Sequence, residues 1–555
     1  MNTDKIELTL LPENHQIQAE KGQPLLEALV EAGILLRADC GGKGKCGKCR
    51  IQIPEAWRGS VSPPTEAEIH SLGKKDLDSG IRLACQVSAS ASITAIIPEQ
   101  ALLTPEVAQK GPTRLSIPKP SARPSPGMPK VFGIAVDLGT TTIAAYLCDL
   151  LNNIVVSSIS MRNPQVIYGD DVMSRITAVY QNDRLLSKLQ KSALQAIEWG
   201  VVSLCRSAGI PARHIQKMVV VGNSTMIHLF AGVDPTSIGV YPYAPKFTEE
   251  RSFSAAEIGF RFNSTMAVIT LPLISGFLGS DIVAAVLAST PHEWENGTML
   301  IDVGTNGEVI LLHQGKFSAT SCATGPAFEG ASIRHGMHAI SGAIDAVQVD
   351  PQTGKPTCSV IQKDPAHAKR PSGICGSGIV SAIAELYRSG IILKDGRLTD
   401  DRFPAVFIKN GDEPPEYILV PAAQTHTGRP VTITQADVRA IQLAKGALYT
   451  GICLLCSETG IPRPSKLLVA GAFGSYIDKQ DALTIGLFPK MDTVDLDIVG
   501  NAAGAGAILS LFDETNRQKA LELAQATRVV DLGGHPNFQD VFMRSLAFPD
   551  TSSEP

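Results

Sequence analysis

The chain has 555 residues, 44% hydrophobic and 19% charged, with a formal net charge of −5. That length exceeds one hydrophobic core, so about three or four domains are expected, and the near-balance of charge argues against a nucleic-acid partner. The start, M-N-T-D-K-I-E, shows no charged-then-apolar signal pattern, and no apolar run reaches ~18 residues, so the expected compartment is the cytoplasm and no membrane partner is expected.

Residues 1–98 come first. Ile6 to Leu11 and Gln16 to Ala19 read as short strands, and Pro24 to Ala32 has helical spacing with a stop at Gly33. A-D-C-G-G-K-G-K-C-G-K-C-R follows. Four of the eleven cysteines lie within the first 85 residues: Cys40, Cys46 and Cys49 in a C-x5-C-x2-C loop, and Cys85 in R-L-A-C-Q. In a cytoplasmic chain such clustering reads as metal or cluster ligation rather than disulfides. A 2Fe-2S cluster needs four thiolates. A glycine-rich loop can wrap it closely, because glycine accepts positive φ and lets N–H groups face the sulfurs. The alternative, structural zinc, usually shows two close cysteine pairs. The spacing resembles the adrenodoxin-like branch of the 2Fe-2S ferredoxins. Arg37, Lys43, Lys45, Lys48 and Arg50 surround the loop and read either as a partner dock that offsets the cluster's charge or as a solvated face.

Residues 99–130 read as a linker, with seven prolines between Thr104 and Lys130. This composition gives a semi-rigid spacer, suited to a carrier that moves between positions or to a passive tether.

The first lobe is read at 131–290. Phe132 to Tyr146, F-G-I-A-V-D-L-G-T-T-T-I-A-A-Y, describes two strands joined by a tight polar turn. Such a turn offers N–H groups and hydroxyls to phosphate and an aspartate, Asp137, to a magnesium shell. Ile154 to Met161 is a third strand; R-N-P-Q-V-I-Y-G-D-D-V-M-S-R-I then enters a helix. Leu185 to Ala208 is a long amphipathic helix, Met218 to Gly222 a strand ending in glycine, and Thr225 to Ala231 a short helix. Asp281 stands at the start of the next helix, where with Ser280 it reads as a cap or as a group that orients a water.

The second lobe is read at 291–555. Met299 to Leu312 repeats the hairpin, with Asp302, Gly304, Thr305, Asn306 and Gly307 in matching order, and Leu467 to Gly471 repeats the strand–glycine. The order hairpin, helices, strand–glycine, twice over, predicts a duplicated α/β lobe with one cleft between the copies. Thr434 to Glu458 is a long helix opened by a capping pair, Thr434 and Asp437, and carrying Gln442 and Lys445 on one face. Cys453 and Cys456 read as buried apolar residues. H-E-x-x-H, G-x-S-x-G and G-K-[ST] are all missing, against metalloproteases, serine hydrolases and P-loop ATPases.

Residues 131 to 510 resemble the actin-like ATPase superfamily of sugar kinases, heat-shock chaperones and actin, whose lobes are RNase H-like. The resemblance implies ATP with Mg2+ as cofactors. It implies that Gly139, Thr140, Thr141 and Thr142 and the turn from Gly304 to Gly307 grip phosphate, and that Asp137 and Asp302 hold magnesium. It implies adenosine contact from Gly471, Gly474 and Ser475, although Ala472 stands where the motif has a second glycine. It also implies ribose contact from Gln442 and Lys445, although Gln442 replaces an acidic residue.

The whole chain is similar to one family, the reductive activators of corrinoid enzymes, which join a β-grasp 2Fe-2S domain, a linker and an actin-like body. N-P-Q-V-I-Y-G-D-D-V-M-S-R-I, G-P-A-F-E-G-A and T-Q-A-D-V-R-A-I-Q-L-A-K carry the resemblance. It implies ATP-dependent reduction of a cobalt(II) corrinoid protein of a methyltransferase system to cobalt(I). The implied partners are that protein and an upstream electron donor, with a homodimer as a further arrangement. Two other readings stand beside it: an activator of another radical or dehydratase enzyme, and a redox-sensing actin-like scaffold. A plain sugar kinase leaves the ferredoxin unexplained.

Overall fold

The computed structural model describes residues 5–38, 40–103, 106–107, 131–330, 332–337, 339–362, 368–409, 411, 414–471, 477–489 and 495–550. Among the described residues two compact units emerge: one within 5–107, 131–281 and 507–517, the other within 282–506 and 518–550.

In the first unit, five short strands make the ferredoxin sheet, in the order His15–Glu20, Lys5–Leu11, Ile93–Ile96, Arg50–Gln52, Ile81–Leu83. Alternate residues Ile6, Leu8 and Leu10 point inward, as a half-buried strand requires. Helix Leu25–Glu31 closes that face with Leu25, Leu26, Leu29 and Val30. Residues beyond 98 continue the domain: Leu103 N–H donates to Leu35 O and Arg37 N–H to Ala101 O, both within 2.9 Å. Glu106–Val107 then pairs with Ile154–Arg162 at the edge of the next sheet. The rest of the proline-rich stretch, 108–130, lies outside the described residues.

The second sheet of this unit runs Arg251–Ser254, Ala267–Thr270, Ile215–Val221, Phe132–Leu138, Thr142–Asp149, Ile154–Arg162, Glu106–Val107. All seven residues of Phe132–Leu138 are buried, and the strand has a parallel neighbour on one edge and an antiparallel one on the other. Helix Arg184–Ala208 packs through Ala193, Ala196, Ile197, Gly200 and Val201 and stops at Gly209, which takes the left-handed conformation. A Cβ at Gly200 would lie 2.3 Å from Met161 Cε, so the helix sits on the sheet at glycine distance.

In the second unit the main sheet runs Asp495–Gly500, Lys466–Ala470, Thr298–Val303, Gly307–His313, Lys316–Cys322, Arg528–Val529. Three antiparallel strands in a meander, then two parallel strands added beside the first, is the plan of both sheets. The duplication expected from the repeated motifs is therefore a repeat of topology. Helix Gln435–Thr459 buries Val438, Ile441, Leu448 and Ile452; at Gly451 a Cβ would lie 2.1 Å from Cys322 Sγ. This helix is long and apolar enough to cross a membrane by length and composition, but it is a core helix, packed on strands of its own unit.

Candidate functional site

The first phosphate-type turn is built as expected from its sequence. Gly139 N–H donates to Thr142 O (3.1 Å), and a Cβ on Gly139 would lie 2.6 Å from that oxygen. Thr140 Oγ1 accepts from Asn223 Nδ2 (2.9 Å). Asn223 stands just past the strand–glycine and caps helix Ser224–Phe230. Asp137 closes the strand beneath, paired in register with Ala144 and almost fully buried. Gly222 packs where a Cβ would be 2.6 Å from Leu138 O, and its amide N–H donates to Ser280 Oγ (3.1 Å). Ser280 is buried on that glycine, while Asp281 follows in the first helical turn, half-buried.

In the second unit Gly304 N–H donates to Asn306 O (3.0 Å), and Thr324 Oγ1 reaches Thr305 O (3.0 Å). Thr305 Oγ1 donates to Glu329 Oε1 (2.7 Å) in G-P-A-F-E-G-A. The other Glu329 oxygen is buried and has no hydrogen bond among the described residues. Gly471 has φ +96°, and a Cβ there would lie 2.6 Å from Asp302 Oδ1. The strand–glycine is thus seated against the aspartate of its own hairpin, and only glycine fits. Gly474, Ser475 and Ala472 lie outside the described residues.

Gln442 and Lys445 are both buried, and both hold the chain's own C-terminal segment. Gln442 Nε2 donates to Leu546 O (2.8 Å) and Asp395 O (3.1 Å), while its Oε1 accepts from Arg439 (2.6 Å). Lys445 Nζ donates to Ala547 O at the limit of hydrogen-bond contact and stands 5.2 Å from the Phe548 ring centroid. Burial pulls its amine down to about 7. For either side chain to reach a ligand, residues 546–548 must lift.

The cysteine loop turns on Gly41, Gly42, Gly44 and Gly47, all at positive φ. Its carbonyls are tied down: Gln86 Nε2 to Gly42 O (2.8 Å), Ser71 Oγ to Gly44 O (2.6 Å), Arg50 Nε to Gly47 O (3.0 Å). The four thiols fall into two pairs. Cys49 Sγ donates to Cys85 Sγ at 3.4 Å. Cys40 is held down to about 5 by the Cys46 thiol and, against its burial, by the backbone N–H groups of Cys46, Lys45 and Lys43. Cys85 is lowered, led by the Cys49 hydrogen bond, whereas that same bond and burial push Cys49 up. Among the described residues no three metal-ligating side chains share one point. Two thiolates per iron is what a binuclear cluster asks for, and the two thiol pairs match that demand.

Comparison with known proteins covers the same ground. Residues 8–90 match the 2Fe-2S iron-sulfur cluster binding domain, 132–293 the RACo middle region, and 296–555 the C-terminal domain of RACo, the ASKHA domain. A corrinoid activation enzyme, RamQ, of Eubacterium limosum is 32% identical across 96% of this chain and 98% of its own. The chain belongs to the family of reductive activators of corrinoid enzymes. A second member, the [Co(II) methylated amine-specific corrinoid protein] reductase of Methanosarcina barkeri, is 26% identical over 71% of this chain and 72% of its own. The solved structure of a reductive activator for a corrinoid, iron-sulfur protein superposes with a TM-score of 0.70, 27% identity and 99% coverage of both chains. As a member of this family the chain carries a 2Fe-2S domain and an ATP-binding actin-like body.

Three contributors went unassigned in the sequence reading. Asn163 and Arg175, in the N-P-Q…S-R-I stretch, hydrogen-bond the Gly139–Thr142 turn. Glu329 serves the Gly304–Gly307 turn. Each sits inside a stretch singled out as family-like, but its role depends on which turn the fold brings beside it.

Proposed function

We propose that this activator uses ATP to drive one electron at a time onto the cobalt(II) of a corrinoid protein in a methyltransferase system, returning it to cobalt(I). The observation that carries the reading is the union, in one chain, of a four-thiol ferredoxin loop with a duplicated ATPase lobe, aligned end to end with a corrinoid activation enzyme.

In this reading Cys40 with Cys46 holds one iron and Cys49 with Cys85 the other. The cluster supplies one-electron chemistry when bound. A ferredoxin cluster potential of about −400 mV leaves cobalt(II) reduction uphill, and each ~59 mV costs about 1.4 kcal/mol. Gly139–Thr142 and Gly304–Gly307 bind the terminal phosphates through amides and hydroxyls. Asp137 and Asp302 hold the magnesium hydration shell, and Asp281 orients the attacking water. Gly471, with Gly474 and Ser475 after it, faces the adenosine. Gln442 and Lys445 join the nucleotide only when the tail lifts. A body that binds the corrinoid protein differently in its two nucleotide states supplies the missing free energy. We place the protein in the cytoplasm, reduced by a separate electron donor.

The test is cobalt(I) formation, followed by absorbance, with reduced protein and corrinoid partner, with and without ATP. A yield that ATP does not raise would remove the energetic role.

A further inference from the structure

Three of the four carbonyls of the Gly139–Thr142 turn face one segment. Asn163 Nδ2 donates to Gly139 O (2.9 Å), Arg175 Nη2 to Thr140 O (2.6 Å), and Asn163 N–H to Thr141 O (2.9 Å). The same guanidinium, fully buried, sends Nη1 to Gln165 Oε1 and Nε to Gly169 O, each at 3.0 Å. A guanidinium is a rigid planar fork, so Thr140 and Gly169 are held at a fixed separation. Gly169 itself admits no side chain: a Cβ would lie 2.6 Å from Ser174 Oγ and 2.8 Å from Arg175 N.

The far end of this segment lies on the cluster loop. Gly41, between Cys40 and Cys46, is packed so that a Cβ would lie 2.8 Å from both Val166 Cγ2 and Asp170 Oδ1. Lys43 makes an ion pair with Asp170. Two further ties hold the ferredoxin domain to helix Arg184–Ala208: Lys188 Nζ to Glu31 (2.8 Å) and Gln195 Nε2 to Glu31 O (3.0 Å). Gln165 Nε2 bonds Leu189 O of that helix (2.9 Å), so both ends share one frame.

We propose that the segment 163–175 is a strut that couples occupancy of the first phosphate turn to the cluster loop, with Arg175 as its positioning residue. The proposal rests on the reading that Gly139–Thr142 binds phosphate. A ligand that draws the turn outward pulls on three carbonyls anchored in the strut. The strut's other end touches the backbone between two cluster thiols, where small displacements alter hydrogen bonding to sulfur and hence the cluster's spectrum and potential. Coupling of this kind travels through contiguous packed and hydrogen-bonded groups.

The experiment uses the full chain with its cluster. Nucleotide binding is measured by calorimetry with Mg·ATP or a non-hydrolysable analogue, and the reduced cluster is read by EPR with and without that nucleotide. The wild type is expected to show a nucleotide-induced change in the EPR signal. Arg175→Lys keeps the charge but loses the fork, and is expected to lose that change. Asp170→Lys touches neither the turn nor a thiolate; it faces Lys43 with a like charge. It is expected to keep iron content and nucleotide affinity yet lose the EPR response, with recovery in Asp170→Lys/Lys43→Asp. Nucleotide that binds without any EPR response in the wild type overturns the strut, as does an undiminished response in Asp170→Lys. No calorimetric binding at all would instead overturn the phosphate reading beneath it.

Discussion

Glu68 offers the sharpest quantitative test. It is fully buried on helix Glu66–Asp78, and its oxygens accept from Arg82 Nε (2.9 Å) and Nη2 (2.8 Å), from Leu83 N–H (2.9 Å) and from Thr65 N–H (3.0 Å). Arg82 spends a further donor on Ser62 O (2.8 Å). The strand so gripped runs directly into Ala84, whose amide bonds Cys49 O (2.8 Å), and then into Cys85. One carboxylate therefore fixes the distant fourth thiol against the loop that bears the other three. Glu68→Ala strands a guanidinium whose side chain is 7% exposed. Breaking one side of a buried pair costs about 3–5 kcal/mol, and the abandoned amides add about 1 kcal/mol each once water reaches them. The loss, about 5–7 kcal/mol, is comparable to the lower part of ordinary domain stability. Iron per chain after purification, and denaturant midpoints followed at the cluster's visible absorbance, should both fall sharply. Glu68→Gln/Arg82→Met removes both charges but keeps an acceptor for the amides, and should regain most of the loss. A single variant that costs under ~1 kcal/mol, the scale of an exposed pair, would refute the reasoning.

Three further outcomes are expected. Asp302→Asn should cut ATP turnover about 10²-fold or more, measured as phosphate release, with cluster absorbance unchanged. Cys46→Ser should abolish the 2Fe-2S EPR signal while leaving the calorimetric ATP-binding isotherm in place; a full-strength signal would exclude the thiol as a ligand. Lys445 is held near 7 against an ordinary 10.5. The unfolded chain therefore binds more protons than the folded one across that window, so stability rises with pH from about 7 to 10.5 and is lost as pH falls through 7. Because the displacement corresponds to about 5 kcal/mol, Lys445→Met should raise the melting temperature at pH 6.5 and flatten its rise towards pH 9.5.

Much of the architecture was legible because it is local. The alternation in Lys5–Leu11, the capping box at Thr434 and Asp437, and the glycine stop at Gly33 each fix a boundary within a few residues of themselves. Repetition of D-x-G-T exposed the duplication, and the cysteine spacing exposed the ferredoxin loop. The family-like N-P-Q stretch was visible too, but nothing in its own sequence says that Arg175 ends beneath Thr140, thirty-five positions earlier.

What the sequence alone determined is the inventory: a thiolate loop, two phosphate-type turns, their aspartates, and the strands that present them. Those features depend on backbone conformation and periodicity, which neighbouring residues dictate. Tertiary structure decided what each polar side chain is spent on. Gln442 and Lys445 look alike on a helical wheel whether they face a ligand or the chain's own tail; the fold gives them Leu546 and Ala547. A buried donor must take whatever acceptor the packing supplies, and that acceptor can lie a hundred residues away.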